Sequence, residues 1–566
     1  MRRVLAWLLL LWVCLPVQAQ DIIEEKDRFY ATEARHGMVL AGERKAAKAG
    51  LQVLEHGGNA VDAAVTTALA LSVTLPRAGN LAGGGFMLIR DPQGQVYALD
   101  FREVAPRAAT SDMYLKQDGS VDRDRATVGA LAVGVPGTVA GLEAALQRFG
   151  TISFEHAVAP AETLARDGII VTPWMQRGLA QAQAKLNRFE SSRAVYLPNG
   201  APPEAGTRFV QKELAQTLHR LGRAGPRDFY QGELAQRIVA SIKRHGGLLT
   251  AQDLESYKAV WRQPVSGTFR GYTVYSMPPP SSGGVHLIQM LNILEGEHFT
   301  VEGYAGAAEL HLLAEAMRSA YADRSRWLGD PDFTKVPVDW LTSKAYAAKL
   351  RAAIPDDRAR KSSEVRPGQA PGYESPDTTH LSVIDDKGWA VSLTYTLNFS
   401  YGSCLVADGT GMLLNNEMDD FSAAPGKPNA YGLLGGEANS IEARKRPLSS
   451  MTPTLVQQDG KLVAALGAPG GSRIITAVFQ VLLNNLVYGF NAQTSVSLPR
   501  IHHQWYPDQI SFEFGLSPDT RERLQAMGHK LAPINAIGQV MLIRVRPDGV
   551  LEAGADPRRP AYAEGY

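Results

Sequence analysis

Cysteine is nearly absent: 566 residues carry two, Cys14 and Cys404. Cys14 lies within MRRVLAWLLLLWVCLPVQAQ, where Arg2 and Arg3 precede an apolar run too short to cross a bilayer and Val17-Gln18-Ala19 offers small residues for cleavage. This reads as a secretory signal peptide, residues 1–19, cut after Ala19, so the expected location is periplasmic or secreted, with no membrane attachment once the signal leaves. Cys404 then stands alone. That excludes an intrachain disulfide and makes a chain of this length depend on a large packed core. An excess of either charge is also lacking. The formal charge of +1 becomes −1 when Arg2 and Arg3 leave, and no long run of like charge follows, so nothing points to nucleic acid or an anionic membrane surface. Missing too are a Walker loop, a G-x-G-x-x-G after a strand, H-E-x-x-H and paired C-x-x-C, so no cofactor and no metal is expected. The adjacent His502 and His503 lack a third ligand at metal spacing, and a structural role is the better reading.

What is present is an interleaving of short strands with buried helices in both halves, the mark of a layered α/β protein. Asn59 with Asp62 three residues later caps a helix over Val61 to Val73 that is apolar nearly all round, which predicts burial between layers. The triple glycine Gly83 to Gly85 precedes a strand, Phe86 to Arg90, rather than a helix, and so predicts close backbone packing instead of a phosphate loop. A second strand, Val96 to Phe101, ends at Arg102, which on pattern alone reads as a surface ion pair. Helices are expected at Thr138 to Phe149, Phe154 to Asp167, Gln211 to Leu221, Gly232 to His245, Val285 to Leu294 and Ala307 to Trp327. The last of these carries one apolar stripe, Leu310, Leu313, Ala314, Met317 and Tyr321. Strands are expected over Leu405 to Leu414 and Thr454 to Leu466, then a helix from Ser472 to Val487 and a closing hairpin, Val540 to Val545 with Val550 to Ala553.

The stretch that organises the chain is SPDTTHLSVIDDKGWAVSLTYTLN, Ser375 to Asn398. A charged tract rich in Pro and Gly precedes it, and two alternating runs, His380 to Ile384 and Trp389 to Tyr395, follow around a DDKG turn. Thr378 thus opens a β-hairpin. A threonine hydroxyl needs a base beside it, and its own α-amino group can serve once that nitrogen is a free terminus. Cleavage between Asp377 and Thr378 would free it. On pattern alone a strand-edge threonine fits as well, since T-T-H is a common tripeptide.

DTTHLSV, TYTLN, LLNNEMDDF, KRPLSSMTPT and GAPGGSRII, in that order, together with GGNAVDAAV, AGNLAGGGFMLIR, LDFREVAP and GTVAGL in the first half, resemble the γ-glutamyltranspeptidases over essentially the whole mature chain. The resemblance implies the four-layer αββα sandwich of N-terminal nucleophile hydrolases, one intertwined unit cut into a large fragment, 20–377, and a small fragment, 378–566. The implied activity is that of a γ-glutamyltransferase and glutathione hydrolase. It would cleave γ-glutamyl amides through an ester on Thr378 and pass the acyl group to water, amino acids or dipeptides. By the same resemblance Thr396 orients the nucleophile's amine, Gly470 and Gly471 form an oxyanion hole, Arg102 with Ser449 and Ser450 holds the substrate α-carboxylate, and Asn398, Glu417 and Asp420 hold its ammonium. Family members carry Gln or Glu at the position of Glu417. By itself PGKPNAYGLLGGEA is an ordinary surface loop; the resemblance implies a lid over the pocket with Tyr431 at its tip. Two rival readings remain: a cephalosporin or glutaryl acylase of the same fold, and a non-catalytic secreted binding protein, which would need a broken site.

Overall fold

The computed structural model describes residues 29–365, 378–423 and 436–566. Before residue 366 the strands are β1 (Thr32–Ala34), β2 (Gly37–Ala41), β3 (Gly84–Arg90), β4 (Val96–Asp100), β5 (Ile169–Ile170), β6 (Arg208–Phe209), β7 (Val260–Arg262), β8 (Val265–Phe269) and β9 (Tyr272–Ser276). After residue 377 come β10 (Thr379–Asp385), β11 (Ala390–Thr396), β12 (Thr454–Gln458), β13 (Lys461–Gly467), β14 (Ile501–His502), β15 (Ile510–Glu513), β16 (Leu531–Ile534), β17 (Met541–Val545), β18 (Leu551–Ala555) and β19 (Tyr562–Gly565). Two sheets of seven strands dominate, ordered β1-β18-β17-β13-β12-β9-β8 and β19-β2-β10-β11-β3-β4-β7. Each mixes strands from both sides of residue 378, so neither part of the chain holds either of these two sheets complete without the other.

Side-chain alternation along the strands assigns the layers. Val39 and Ala41 of β2, Met87 and Ile89 of β3, and Leu381 and Val383 of β10 share one core with the helices Arg44–Glu55 and Ala60–Thr74. Their neighbours Met38, Leu40, Phe86 and Leu88 share the other core with Leu455, Val456 and Leu466 of the facing sheet and with the helices Ala307–Trp327 and Arg473–Leu486. The order is therefore helix, sheet, sheet, helix. A helix with a sheet on one side and further helices on the other must be apolar all round. All fifteen residues of Ala60–Thr74 are buried, and Asn59 and Asp62 form the expected capping box.

Three expectations change. The hairpin of β17 and β18 does not close the chain, because β19 follows it and pairs with β2 in the other sheet. Leu405 to Leu414 forms no strand: Asp408-Gly409-Thr410-Gly411 turns the chain, with Gly409 and Gly411 at φ of 71° and 68°, and only isolated bridges, Val406 to Leu413 and Ala82 to Leu414, remain. The helix Ala307–Trp327 is buried from Leu310 through Ser325, not along one stripe, because its polar residues meet partners in the layers on either side. Glu315, for example, accepts from the Arg360 Nε at 2.5 Å.

Candidate active site

The hairpin that Thr378 heads sits at the centre of its sheet. Thr379 pairs with Tyr395 and His380 with Thr394, so one step back along the same register sets Thr378 opposite Thr396. Both share the pleat face of His380 and Thr394, whose side chains meet between the sheets through a bond of 2.8 Å from His380 Nδ1 to Thr394 Oγ1. Thr378 is buried, and Thr396 Oγ1 accepts from the Asn398 N–H at 2.8 Å. Asn398 itself has a φ of 75°, a left-handed conformation that asparagine tolerates, and its Nδ2 donates to the Asn416 carbonyl at 3.0 Å.

The glycine run Gly83 to Gly85 explains why the strand beside β11 can come so close. A Cβ on Gly83 would lie 2.0 Å from the Thr396 carbonyl oxygen, and one on Gly84 would lie 2.4 Å from Glu103 Oε2. The sequence reading of close packing holds, and the atoms approached belong to the site.

Across the sandwich, β13 runs toward the same end. Its Leu466 carbonyl accepts from Ser392 Oγ at 2.9 Å, while Gly467 lies against the His380 ring, so each step along β13 moves toward Thr378. Three residues further come Gly470 and Gly471, at φ of 145° and 60°. Only glycine takes up such a pair without strain, and a Cβ on Gly470 would stand 2.8 Å from the Gly538 Cα. Their carbonyls accept from the Arg473 and Ile474 N–H groups, so the pair leads directly into the helix Arg473–Leu486. That places two backbone N–H groups at the positive end of a helix dipole, the chemistry of an oxyanion-binding turn.

Arg102 follows β4 at the same end and is 1% exposed. Its guanidinium is paired with both Glu417 and Asp420, lies 3.8 Å from Glu103, and has its Nε 3.3 Å from the Pro447 carbonyl. The residues assigned to opposite ends of a substrate thus pair with one another. Burial alone would lower the Arg102 pKa, but Glu417, Asp420 and Glu103 outweigh it and raise the value. Burial pushes Glu103 up to about 7 and Glu417 up to about 8, with the Arg102 charge pulling both back only in part. Ser449 Oγ accepts from the Met451 N–H at 3.1 Å, and Ser450 Oγ accepts from Arg324 at 3.2 Å. Sequence reasoning missed Glu103 and Arg324. Glu103 adjoins Arg102 in LDFREVAP and carried that signal; Arg324 stands on a helix whose pattern shows only packing. Asp377 and Tyr431 lie outside the described residues.

A pH dependence follows from the raised carboxyls. Between the ordinary value of 4.5 and about 8, the folded protein retains protons that the unfolded chain has released, so stability falls as pH rises across that window. Glu417→Gln removes one of these titrations. Its Tm, measured against the parent, should rise at pH 8 relative to pH 5, by ~1 °C for each kcal/mol in so long a chain. An unchanged or reversed difference would show Glu417 to be ionised throughout.

Among the described residues, His311, Glu315 and His529 form the one group with metal-ligand side chains. The guanidiniums of Arg318 and Arg360 occupy the Glu315 carboxylate at 3.4 and 2.5 Å, and His311 Nδ1 bonds His529 Nε2 at 2.8 Å, so the group is an internal polar network. His502 bonds Thr476 and Gln504, in line with a structural role. No described helix is long and apolar enough to cross a membrane.

Two antiparallel sheets between helical layers, with a threonine heading a central strand on the inter-sheet face, are the fold of the N-terminal nucleophile hydrolases. A Bacillus halodurans cephalosporin acylase structure matches with a TM-score of 0.84 and 26% identity, over 97% of this chain and 99% of its own. The Helicobacter pylori gamma-glutamyltranspeptidase structure is 45% identical with a TM-score of 0.57, over 58% of this chain and 94% of its own. The glutathione hydrolase proenzyme of Escherichia coli (strain K12) is 49% identical over 535 residues, 94% of this chain and 92% of the relative. The family model for gamma-glutamyltranspeptidase matches residues 46–566. The chain belongs to the γ-glutamyltranspeptidase family.

Proposed function

We propose that the protein is a self-processing γ-glutamyltransferase and glutathione hydrolase in which Thr378, freed by cleavage after Asp377, is the nucleophile. The observation that carries this reading is the buried cluster of Arg102, Glu417 and Asp420 at the same end of the sheet as Thr378. One cation faces two acidic side chains there, the complement of a zwitterionic amino acid. An arriving α-carboxylate takes the planar fork of Arg102, with Ser449 and Ser450 at its rim, while the α-ammonium takes Glu417, Asp420 and Asn398. The substrate thus replaces an internal ion pair with two of its own, which limits the desolvation cost of filling the site.

The reaction then follows from the threonine pair. The free α-amine of Thr378 titrates at about 7.7 to 8.0 when unperturbed, close to working pH, and accepts the proton of its own hydroxyl. Thr396, facing it by register, holds that amine in place. Thr378 Oγ attacks the γ-carbonyl carbon, the oxyanion meets the N–H groups of Gly470 and Gly471, and the amine proton passes to the departing nitrogen as the C–N bond breaks. Such donors contribute roughly 3 to 4 kcal/mol each in the transition state. Water or an acceptor amine reverses these steps on the ester and restores Thr378. Residues 20–377 and 378–566 remain together as a heterodimer because both sheets need both parts.

Support for self-processing comes from the relative's description as a proenzyme and from the interleaving of the two sheets. Export is supported by the N-terminal residues alone, which lie outside the described residues. The acylase reading shares the fold but has no use for buried acids around an ammonium, and a non-catalytic reading requires losses that are not found: Thr378, Thr396, Gly470 and Gly471 are all present. The test is release of nitroaniline from γ-glutamyl-p-nitroanilide by the purified protein, with glycylglycine added as acceptor. Formation of γ-glutamyl-glycylglycine together with faster release is expected; no release from the cleaved protein would overturn the reading.

A further inference from the structure

The stretch from Pro447 to Ser450 carries both serines of the head-group reading, and two arginines hold it from opposite ends. Arg102 meets the Pro447 carbonyl with its Nε at 3.3 Å, and Arg324, from the helix Ala307–Trp327, donates to Ser450 Oγ at 3.2 Å. The same Arg324 guanidinium donates from its Nε to Ser282 Oγ at 2.9 Å. Ser282 belongs to PPPSSGG, residues 278–284, a turn that lies against the serine stretch. Its N–H and its hydroxyl both donate to the Ser449 carbonyl at 2.8 Å, and the Ser449 N–H donates to the Pro280 carbonyl at 2.9 Å. The approach is so close that a Cβ on Gly283 would stand 2.3 Å from Thr452 Oγ1. One planar fork therefore spans two segments far apart in sequence, a task that suits guanidinium better than the single nitrogen of a lysine.

The direction of these bonds decides what the serines can do. A hydroxyl has one hydrogen to donate and lone pairs with which to accept. Ser449 Oγ accepts from the Met451 N–H and Ser450 Oγ accepts from Arg324, so both hydrogens point to some other acceptor. Among the described residues neither hydroxyl donates to a protein group, although Ser449 and Ser450 are only 2% and 1% exposed, and buried donors are as a rule satisfied. Ser282 shows the complete arrangement: it accepts from Arg324 and passes its own hydrogen to the Ser449 carbonyl. A hydroxyl that accepts from a cation is polarised and becomes a stronger donor.

We infer that Arg324 is a positioning residue for the substrate α-carboxylate: it orients and polarises the Ser450 hydroxyl and, through Ser282, fixes the Ser449 backbone, so that both serines donate to the anion that Arg102 grips. The inference rests on the proposed head-group reading. Arg324 touches no substrate atom; its charge acts on the carboxylate through the Ser450 O–H. The anion then receives the Arg102 fork on one side and two aligned hydroxyls on the other, an arrangement that favours a carboxylate over a neutral carboxamide.

The test compares two donors on the cleaved enzyme: γ-glutamyl-p-nitroanilide, and its α-carboxamide, which keeps the ammonium but loses the carboxylate charge. Arg324→Gln should raise KM for the first by roughly tenfold, the range of one charge-assisted hydrogen bond, with kcat within about twofold of the parent. The KM for the carboxamide should stay close to the parent's. In a double-mutant cycle, adding Arg324→Gln to Ser450→Ala should cost far less than Arg324→Gln alone, because the effect passes through that hydroxyl. If Arg324→Gln does not fold, as judged by circular dichroism, Ser282→Ala decides: it should raise KM for the γ-glutamyl donor and spare the carboxamide. Equal losses with both donors, or independent effects of Arg324→Gln and Ser450→Ala, overturn the assignment. A parent that uses the two donors equally well would instead overturn the α-carboxylate reading on which it rests.

Discussion

Thr378→Ala should remain a single chain with no measurable turnover. Both outcomes need the same hydroxyl, because the cleavage that frees the α-amine and the attack on the γ-carbonyl begin from the same Oγ. The substitution removes a buried hydroxyl and a methyl group from the head of β10, and the register that fixes this strand, from Leu381 against Ala41 and from Thr379 against Tyr395, does not depend on the side chain. Folding should therefore persist, with Tm close to that of the unprocessed parent. A denaturing gel shows the result: one band from the variant and two from the parent. Rates should fall by at least about 10⁴-fold, the loss seen when an activated nucleophile is removed and only binding and an oxyanion hole remain. Two bands from Thr378→Ala would mean that an external protease makes the cut, and residual turnover above that level would move the nucleophile elsewhere.

A comparable effect is expected from the substrate side. A glutaryl anilide lacks the α-ammonium, so its binding would leave Glu417 and Asp420, already displaced from Arg102 by the carboxylate, without a cation in a buried site. The cost is on the order of 2 to 5 kcal/mol. At ~1.4 kcal/mol per decade, kcat/KM should favour γ-glutamyl anilide over glutaryl anilide by a factor of roughly thirty to several thousand. Asp420→Ala should narrow the gap, mainly by losing the γ-glutamyl substrate. Comparable values for the two anilides would make the protein an acylase, in keeping with its similarity in shape to the Bacillus halodurans acylase.

Much of this site was legible in the sequence because its parts are local. The hairpin after Asp377, the capping box at Asn59 and the glycine run before β3 each report their own backbone, and each appears where the pattern set it. Resemblance supplied the roles; pattern alone left Thr378 as a strand-edge threonine and Arg102 as a surface ion pair. What the sequence could not convey is long-range. Arg102 meets Glu417 and Asp420 across more than three hundred residues of chain, and no local signal shows that this arginine is buried among those acids. Arg324 reaches Ser450 from a helix that reads only as core. Leu405 to Leu414 has the apolar content of a strand, but its glycines take a left-handed turn fixed by neighbours such as Leu214, against whose backbone a Cβ on Gly411 would press at 2.5 Å.

The central claim is that Thr378 becomes the first residue of the small fragment. N-terminal sequencing of that fragment from purified protein tests it directly: the account predicts Thr-Thr-His-Leu-Ser, starting at Thr378, and any other first residue would contradict it.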